Sequence, residues 1–371
     1  MPRHVYVHVP FCARRCSYCD FAIAVRRDVP VDEYVHALEA ELRARFANAP
    51  AAEVETLYLG GGTPSRLGVE GVVRVLDTVR RWFPLTSGAE LTIEANPEDV
   101  DAATVETWMA AGVNRLSLGA QSFDDHVLAW MHRTHDAAAI ERAVSAARSA
   151  GLDNLSLDLI FALPKALERD FAEDVRRMLD LGPSHVSIYG LTVEPGTPLG
   201  KWVGRRTTEE RGEEGYEEEF LVAHESLTAA GLEHYEVSNY ALPGRRSRHN
   251  AAYWAGVSYV GLGPSAHGFD GSERRWNARA YVDWRDRAAA GADPIEGSET
   301  LSAENRVAED VYLGMRSDVG LRLASGERDF VRQWEVARWV TVDAEGRLRC
   351  TPLGWLRLDA LATALTLSRS R

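Results

Sequence analysis

The stretch His4-Val5-Tyr6-Val7-His8-Val9-Pro10-Phe11-Cys12-Ala13-Arg14-Arg15-Cys16-Ser17-Tyr18-Cys19 decides how the rest of the chain is read. Its first half is a strand of alternating valines ended by Pro10. Its second half is a loop holding three of the chain's four cysteines within eight residues. Three thiolates can hold three irons of a 4Fe-4S cluster and leave the fourth iron open to a small molecule. A disulfide would leave an odd thiol, and nothing else in the sequence points to an oxidising compartment. A structural zinc site wants a fourth Cys or His at ligand spacing, and the strand position of His8 directs it elsewhere. Cys350, alone in Arg349-Cys350-Thr351, reads as a small buried hydrophobe. By the strand period of two, Tyr6 and His8 share one face.

Outward from this strand, the sequence repeats one alternation as far as residue 192: a short β-branched run, a loop with Gly, Pro or Asn, then an amphipathic stretch. That pattern predicts parallel βα units. The strands are expected over His4–Pro10, Glu55–Gly60, Glu90–Ala95, Arg115–Gly119, Asn154–Phe161 and His185–Leu191. Helices are expected near 31–47, 69–82, 101–111, 136–150 and 168–181, with Asp101, Asp136 and Asp170 in capping or first-turn positions. Six such units curve into an open barrel, whose ligands sit at the C-terminal ends of the strands. Residues 193–297 complete and cover the barrel. The acidic run Glu209 to Glu225 reads as a solvated helix face, and Gly291-Ala292-Asp293-Pro294 with Gly297-Ser298 as a linker. The expected division is a core with its covering segment over 1–297 and a small, mostly helical C-terminal domain over 298–371.

The composition sets limits on function. At 371 residues with 45% hydrophobic side chains, the chain can fill one large core and a smaller one. A formal charge of −13 argues against nucleic-acid partners, which require clustered cations. No apolar run approaches a membrane span, and Met1-Pro2-Arg3 shows no signal-peptide pattern, so a cytoplasmic protein is expected, with peripheral membrane contact left open.

The chemistry-bearing residues gather at the predicted strand ends. The cysteine loop follows the first strand and Gly60-Gly61-Gly62-Thr63-Pro64 the second, where consecutive glycines let a ligand approach the main chain. Glu94 ends the third strand, Gln121 and Arg133 follow the fourth, and Asp158 lies in the fifth. Together they offer acceptors for a cation or ribose hydroxyls and a guanidinium for a carboxylate, the inventory for an amino-acid-bearing nucleoside.

Cys12-x3-Cys16-x2-Cys19, with Tyr6-Val7-His8-Val9-Pro10-Phe11 before it and Gly60-Gly61-Gly62-Thr63-Pro64 after it, resembles the radical SAM superfamily. Within it, the chain looks like the branch of oxygen-independent coproporphyrinogen III oxidases. The likeness runs on through Glu94, Gly119-Ala120-Gln121-Ser122-Phe123, Arg133 and Asp158-Leu159-Ile160 and thins in the C-terminal part. The resemblance implies an α/β fold, an open (β/α)6 partial TIM-type barrel of the radical SAM type, with Cys12, Cys16 and Cys19 holding a 4Fe-4S cluster. It also implies S-adenosylmethionine (SAM) bound to the open iron through its amino and carboxylate groups, and one-electron cleavage to methionine and a deoxyadenosyl radical. Tyr6 and Tyr18 match residues beside the cluster. Gly61, Gly62 and Thr63 match the turn that holds the methionine amino group, and Glu94, Gln121, Arg133 and Asp158 match the remaining SAM contacts.

Departures within the branch point to a subgroup. True coproporphyrinogen dehydrogenases carry another Cys two residues after the third ligand, and a long N-terminal extension; here position 21 is Phe and few residues precede Cys12. Cys19-Asp20-Phe21 and His249-Asn250-Ala251-Ala252-Tyr253-Trp254 look like the HemW-type haem chaperones, in which the His-Asn-x-x-Tyr-Trp motif is implicated in haem binding. The resemblance thus implies haem as cargo, contacted by His249, Asn250, Tyr253 and Trp254, a haem-accepting apoprotein and an electron donor. An imidazole such as His249 can ligate haem iron, and aromatic side chains offer flat faces to a porphyrin; taken alone, however, one His beside aromatics reads as core packing. His267, in Gly261-Leu262-Gly263-Pro264-Ser265-Ala266-His267-Gly268, is a second candidate ligand. Oxidative decarboxylation of a porphyrinogen and a radical SAM methyl transfer are the enzymatic alternatives, and the resemblance leaves open whether SAM is cleaved. Where relatives usually read Gly-Leu-Pro-Gly-Gln after the fifth strand, this chain has Ala162-Leu163-Pro164-Lys165-Ala166.

Overall fold

The computed structural model describes residues 2–48 and 53–369. All six expected strands form: β1 (His4–Val9), β2 (Val54–Gly61), β3 (Leu85–Ala95), β4 (Arg115–Gln121), β5 (Leu155–Phe161) and β6 (His185–Gly190). They pair in chain order, each parallel to the next. Crossover helices α1 (Val31–Phe46), α2 (Gly68–Trp82), α3 (Ala102–Ala110), α4 (Ala137–Ser149) and α5 (Phe171–Asp180) link them. Asp101, Asp136 and Asp170 are the N-caps of the last three, each accepting a backbone N–H of the first turn.

The strands sort their side chains by the period of two. Val5, Val7, Leu57, Leu59, Leu91, Ile93, Leu116, Leu118, Leu157 and Leu159 are buried in one core with the helices. The opposite face carries Thr56, Tyr58, Glu94, Ser117, Ser156, Asp158 and His185. These bond to one another across the bore: Tyr58 Oη donates to Glu94 at 2.8 Å, Ser117 to Asp158 at 3.2 Å, and Ser156 contacts the His185 ring at 2.8 Å. One layer of apolar contacts holds the helices on, and the bore is polar.

Three further strands extend the sheet beyond the six expected: β7 (Glu233–Glu236), β8 (Asn239–Ala241) and β9 (Val260–Leu262). The order is β9-β1-β2-β3-β4-β5-β6-β8-β7, with β9 parallel to β1 and β8 antiparallel to β6 and β7. The sheet does not close. β9 is clamped by a buried charge: Glu41 accepts from Gly263 N at 2.9 Å, Asn277 Nδ2 at 2.7 Å and Trp284 Nε1 at 2.9 Å, and pairs with Arg45, which also donates to Gly261 O.

Two expectations need correction. Gly297 and Ser298 are not linker: they pair with Trp276 and Arg275 inside the strand Ile295–Thr300, third in a sheet with His267–Phe269 and Glu273–Asn277. The acidic run is not wholly solvated. Its helix α6 (Glu213–Ala229) buries Glu219, which accepts from Ala162 N at 2.6 Å and from Arg169 at 3.0 Å. Beyond residue 300, helices Ala303–Gly314, Glu327–Val336 and Leu358–Arg369 surround a three-stranded sheet and join the barrel's core. No helix among the described residues is long and apolar enough to cross a membrane.

Candidate cluster and cofactor site

The cysteine loop begins where the barrel's first strand ends. Phe11–Cys12 pairs with Ala24–Val25, so residues 13–23 form a closed loop over the strand ends. Its middle is tied down by Ser17, whose N–H donates to Met131 O at 3.1 Å and whose carbonyl accepts from Leu199 N at 2.8 Å. Cys12, Cys16 and Cys19 are free thiols, and all three line one cavity of about 520 Å³.

The same cavity is lined by Tyr18, Gly61, Gly62, Thr63, Glu94, Gln121, Arg133 and Asp158, which come from the ends of five strands and the loops after them. Eight of the nine residues expected at the SAM site therefore share one mouth. The ninth, Tyr6, lies in the bore: its ring stacks on Tyr58 at 6.1 Å, its hydroxyl meets His8 Nδ1 at 3.1 Å, and it lines a neighbouring cavity instead.

The glycine turn is shaped for this place. Gly61 has φ 112°, and a Cβ there would strike the His8 ring at 2.6 Å; a Cβ on Gly62 would sit 2.7 Å from Pro10 O and 3.0 Å from Cys12 Sγ. The turn thus leaves a cradle beside the first cysteine that any side chain would fill. Thr63 Oγ1 lies 3.6 Å from Cys12 Sγ, and Arg133 donates to Cys16 Sγ at 3.5 Å and to Asn96 Oδ1 at 2.7 Å. Two non-glycine residues at this mouth, Gln121 (φ 68°) and His132 (φ 60°), hold left-handed backbone, a cost of about 1–3 kcal/mol each that tends to collect at functional sites.

Burial pushes the Cys12 thiol up to about 11 and also raises Cys19, so both stay neutral until a metal displaces the proton. Burial likewise lifts Glu94 to about 7, against the hydrogen bonds from Tyr58 and Gly61 N that favour its charged form. Among the described residues, no three Cys, His, Asp or Glu side chains converge on a single point as a mononuclear site would require. A cluster makes no such demand, because each thiolate takes a different iron. Three free cysteines around an open, polar-lined cavity with a glycine cradle fit that group.

The expected haem residues lie elsewhere, on α7 (Arg248–Trp254). His249 is 1% exposed, its Nδ1 is 2.6 Å from Thr56 Oγ1 and its Nε2 is 2.9 Å from Tyr253 Oη. Burial lowers it to about 3, so it is a neutral ring with both nitrogens engaged. His249 thus cross-links α7 to β2, with both ring nitrogens hydrogen-bonded in this structure. Asn250 and Trp254 are half-buried, and Tyr253 lines the cavity that Tyr6 shares. Sequence reasoning assigned no role to Asn96, Ser117 or Tyr189, all of which line the cysteine cavity. Their signal was available in the period-two polar face of β4 and β6 and in the Arg133 partner after β3.

An open parallel barrel that gathers three cysteines, a triglycine turn and buried carboxylates at its strand ends defines a radical SAM protein, and residues 6–178 match the Radical SAM superfamily. The chain is 39% identical over 98% of its length to a protein of Mycobacterium tuberculosis named heme chaperone HemW, covering 95% of it. It is 33% identical over 86% of its length to the Bacillus subtilis protein of that name, covering 84%. In fold it is similar to coproporphyrinogen III oxidase (HemN) from Escherichia coli, with a TM-score of 0.82, 23% identity, and 98% and 90% of the two chains covered. The chain belongs to the HemW family of the radical SAM superfamily.

Proposed function

We propose that this protein is a cytoplasmic haem chaperone that carries a 4Fe-4S cluster, binds SAM, takes up haem and passes it to an acceptor apoprotein. The observation that carries the reading is the likeness, over nearly the whole of both chains, to a relative named as a heme chaperone. Cys12, Cys16 and Cys19 would hold the cluster. When bound, such a cluster supplies single electrons and an iron open to amino and carboxylate donors.

The chain's own residues do the rest. Glu94 and the main-chain carbonyls of Gly61 to Thr63 accept from the N–H groups of the ligand's amino group, Asp158 offers acceptors to ribose hydroxyls, and Gln121 and Tyr18 shape the mouth. Arg133, held by Asn96 and Gly119 O, keeps a positive charge beside Cys16 and within reach of a ligand carboxylate. Tyr253, aimed by its hydrogen bond to His249, presents an aromatic face toward a porphyrin. A cellular electron donor is a further partner under this reading.

The test is anaerobic reconstitution with iron and sulfide, haem loading, and incubation with an apo-haemoprotein, with coproporphyrinogen turnover measured in parallel. Haem uptake and transfer without turnover is the expected result. Turnover without haem uptake would replace the chaperone reading by porphyrinogen decarboxylation.

A further inference from the structure

A second cavity, of about 590 Å³, is lined by residues of β1 and of the segment after α7, within the size range of a cofactor pocket of roughly 300–1,000 Å³. Tyr6 and His8 line it, while Gly61, whose position abuts the His8 ring, lines the cysteine cavity.

The second cavity has the surfaces of a metalloporphyrin site. Tyr253, Tyr259 and Phe269 supply aromatic faces, with Tyr253 and Tyr259 packed edge-on at 4.7 Å. Three imidazoles stand near it, and they differ in availability. His8 gives Nδ1 to Tyr6 and Nε2 to Ala22 O, and His249 is saturated by Thr56 and Tyr253. His267 is exposed, its ring nitrogens bond to no described residue, and the ring is stacked at 5.9 Å on Trp276, which sets its orientation. Partial desolvation by its neighbours and the Arg274 charge lower its pKa, so the ring is neutral with a lone pair free for a metal.

The charges at the rim fit a ligand with carboxylates. Arg274 is matched by Glu309 at 2.6 Å, whereas Arg306 has no ion-pair partner among the described residues; Asp310 also lines the rim. Arg306 is therefore the rim cation left for a ligand carboxylate.

We propose that haem seats in this second cavity with His267 as axial ligand, its ring against Tyr253, Tyr259 and Phe269 and a propionate at Arg306. The assignment deepens the haem-chaperone reading and rests on it. It moves the ligand from the His-Asn-x-x-Tyr-Trp helix to the neighbouring strand, while leaving Tyr253 as the motif's contribution to the pocket.

The experiment is a ferric haem titration, followed by absorption spectroscopy, of the reconstituted protein, His267→Ala and Arg306→Glu. The expected result is imidazole ligation in the parent protein, and in His267→Ala loss of that spectrum with at least about tenfold weaker binding, recovered by added imidazole. Arg306→Glu should weaken binding with an unchanged spectrum, and cluster absorbance should survive in both. If the parent protein binds haem and His267→Ala keeps its spectrum and affinity, the site is elsewhere and the proposal falls while the chaperone reading stands. If the parent protein takes up no haem, the chaperone reading falls and this assignment with it.

Discussion

The cysteine loop and helix α7 each carry a motif-bearing segment to the barrel, and the structure treats them in opposite ways. The loop leaves Cys12, Cys16 and Cys19 as free thiols around an open cavity, with long contacts to Thr63 and Arg133. The helix buries His249 to 1% exposure and satisfies both of its nitrogens. A ligating residue type is readiest to bind where the fold leaves its lone pairs unspent. The ring nitrogens of His267, outside the motif, bond to no described residue, whereas both nitrogens of His249 are hydrogen-bonded.

The largest effect should come from the loop. Cys16→Ala, removing one of three irons' ligands, should abolish cluster assembly while leaving the fold intact, read as iron and sulfide content alongside circular dichroism. Retention of a full cluster would break the contrast at its strong end. On the helix the outcome should invert: His249→Ala should cost roughly 2–4 kcal/mol of stability, because it opens a cavity and strands the Tyr253 hydroxyl while Thr56 keeps only His4, yet keep imidazole ligation of haem. Denaturant titration and the haem spectrum together report it, and a lost spectrum with unchanged stability would restore His249 as the ligand.

A subtler effect concerns Glu94, lifted by burial to about 7. Its neutral form prevails below that value, so affinity for cationic SAM should rise with pH through neutrality, by at most about tenfold per pH unit on the acid side, and level off above. Calorimetry of SAM binding across that range, with Glu94→Gln expected to flatten the profile, checks it. The smallest effect should be at Ala162, which holds φ 58° with its N–H on Glu219, at a position where the resemblance expects glycine. Ala162→Gly should stabilise by roughly 0.5 kcal/mol, the relieved left-handed strain slightly exceeding the added chain entropy. A loss of stability in melting experiments would mean that the alanine methyl contributes packing that outweighs the strain.

Much of this was legible before the structure. The six parallel strands and three aspartate caps follow from periodicity and local capping chemistry, and the cysteine mouth follows from placing polar residues at strand ends. What stayed hidden depends on tertiary context. β9 is three residues with a central glycine, too short for any period to register, and its place beside β1 is supported by Glu41 and Arg45, which bond Gly263 N and Gly261 O. Strand β3 begins at Leu85, five residues before the apolar run that marks it, through a polar stretch with Gly88 at φ 75°. That the second nitrogen of His249 is taken up by Thr56 depends on a partner far away in sequence, which no local pattern encodes.

The central claim is that three cysteines hold a cluster whose fourth iron is left for SAM. Mössbauer spectroscopy of the protein reconstituted with isotopically labelled iron, with and without SAM, tests it most directly. The account predicts a four-iron cluster in which one iron changes its signal on SAM addition and the other three do not. A cluster with no SAM-responsive iron, or a mononuclear metal in its place, would contradict it.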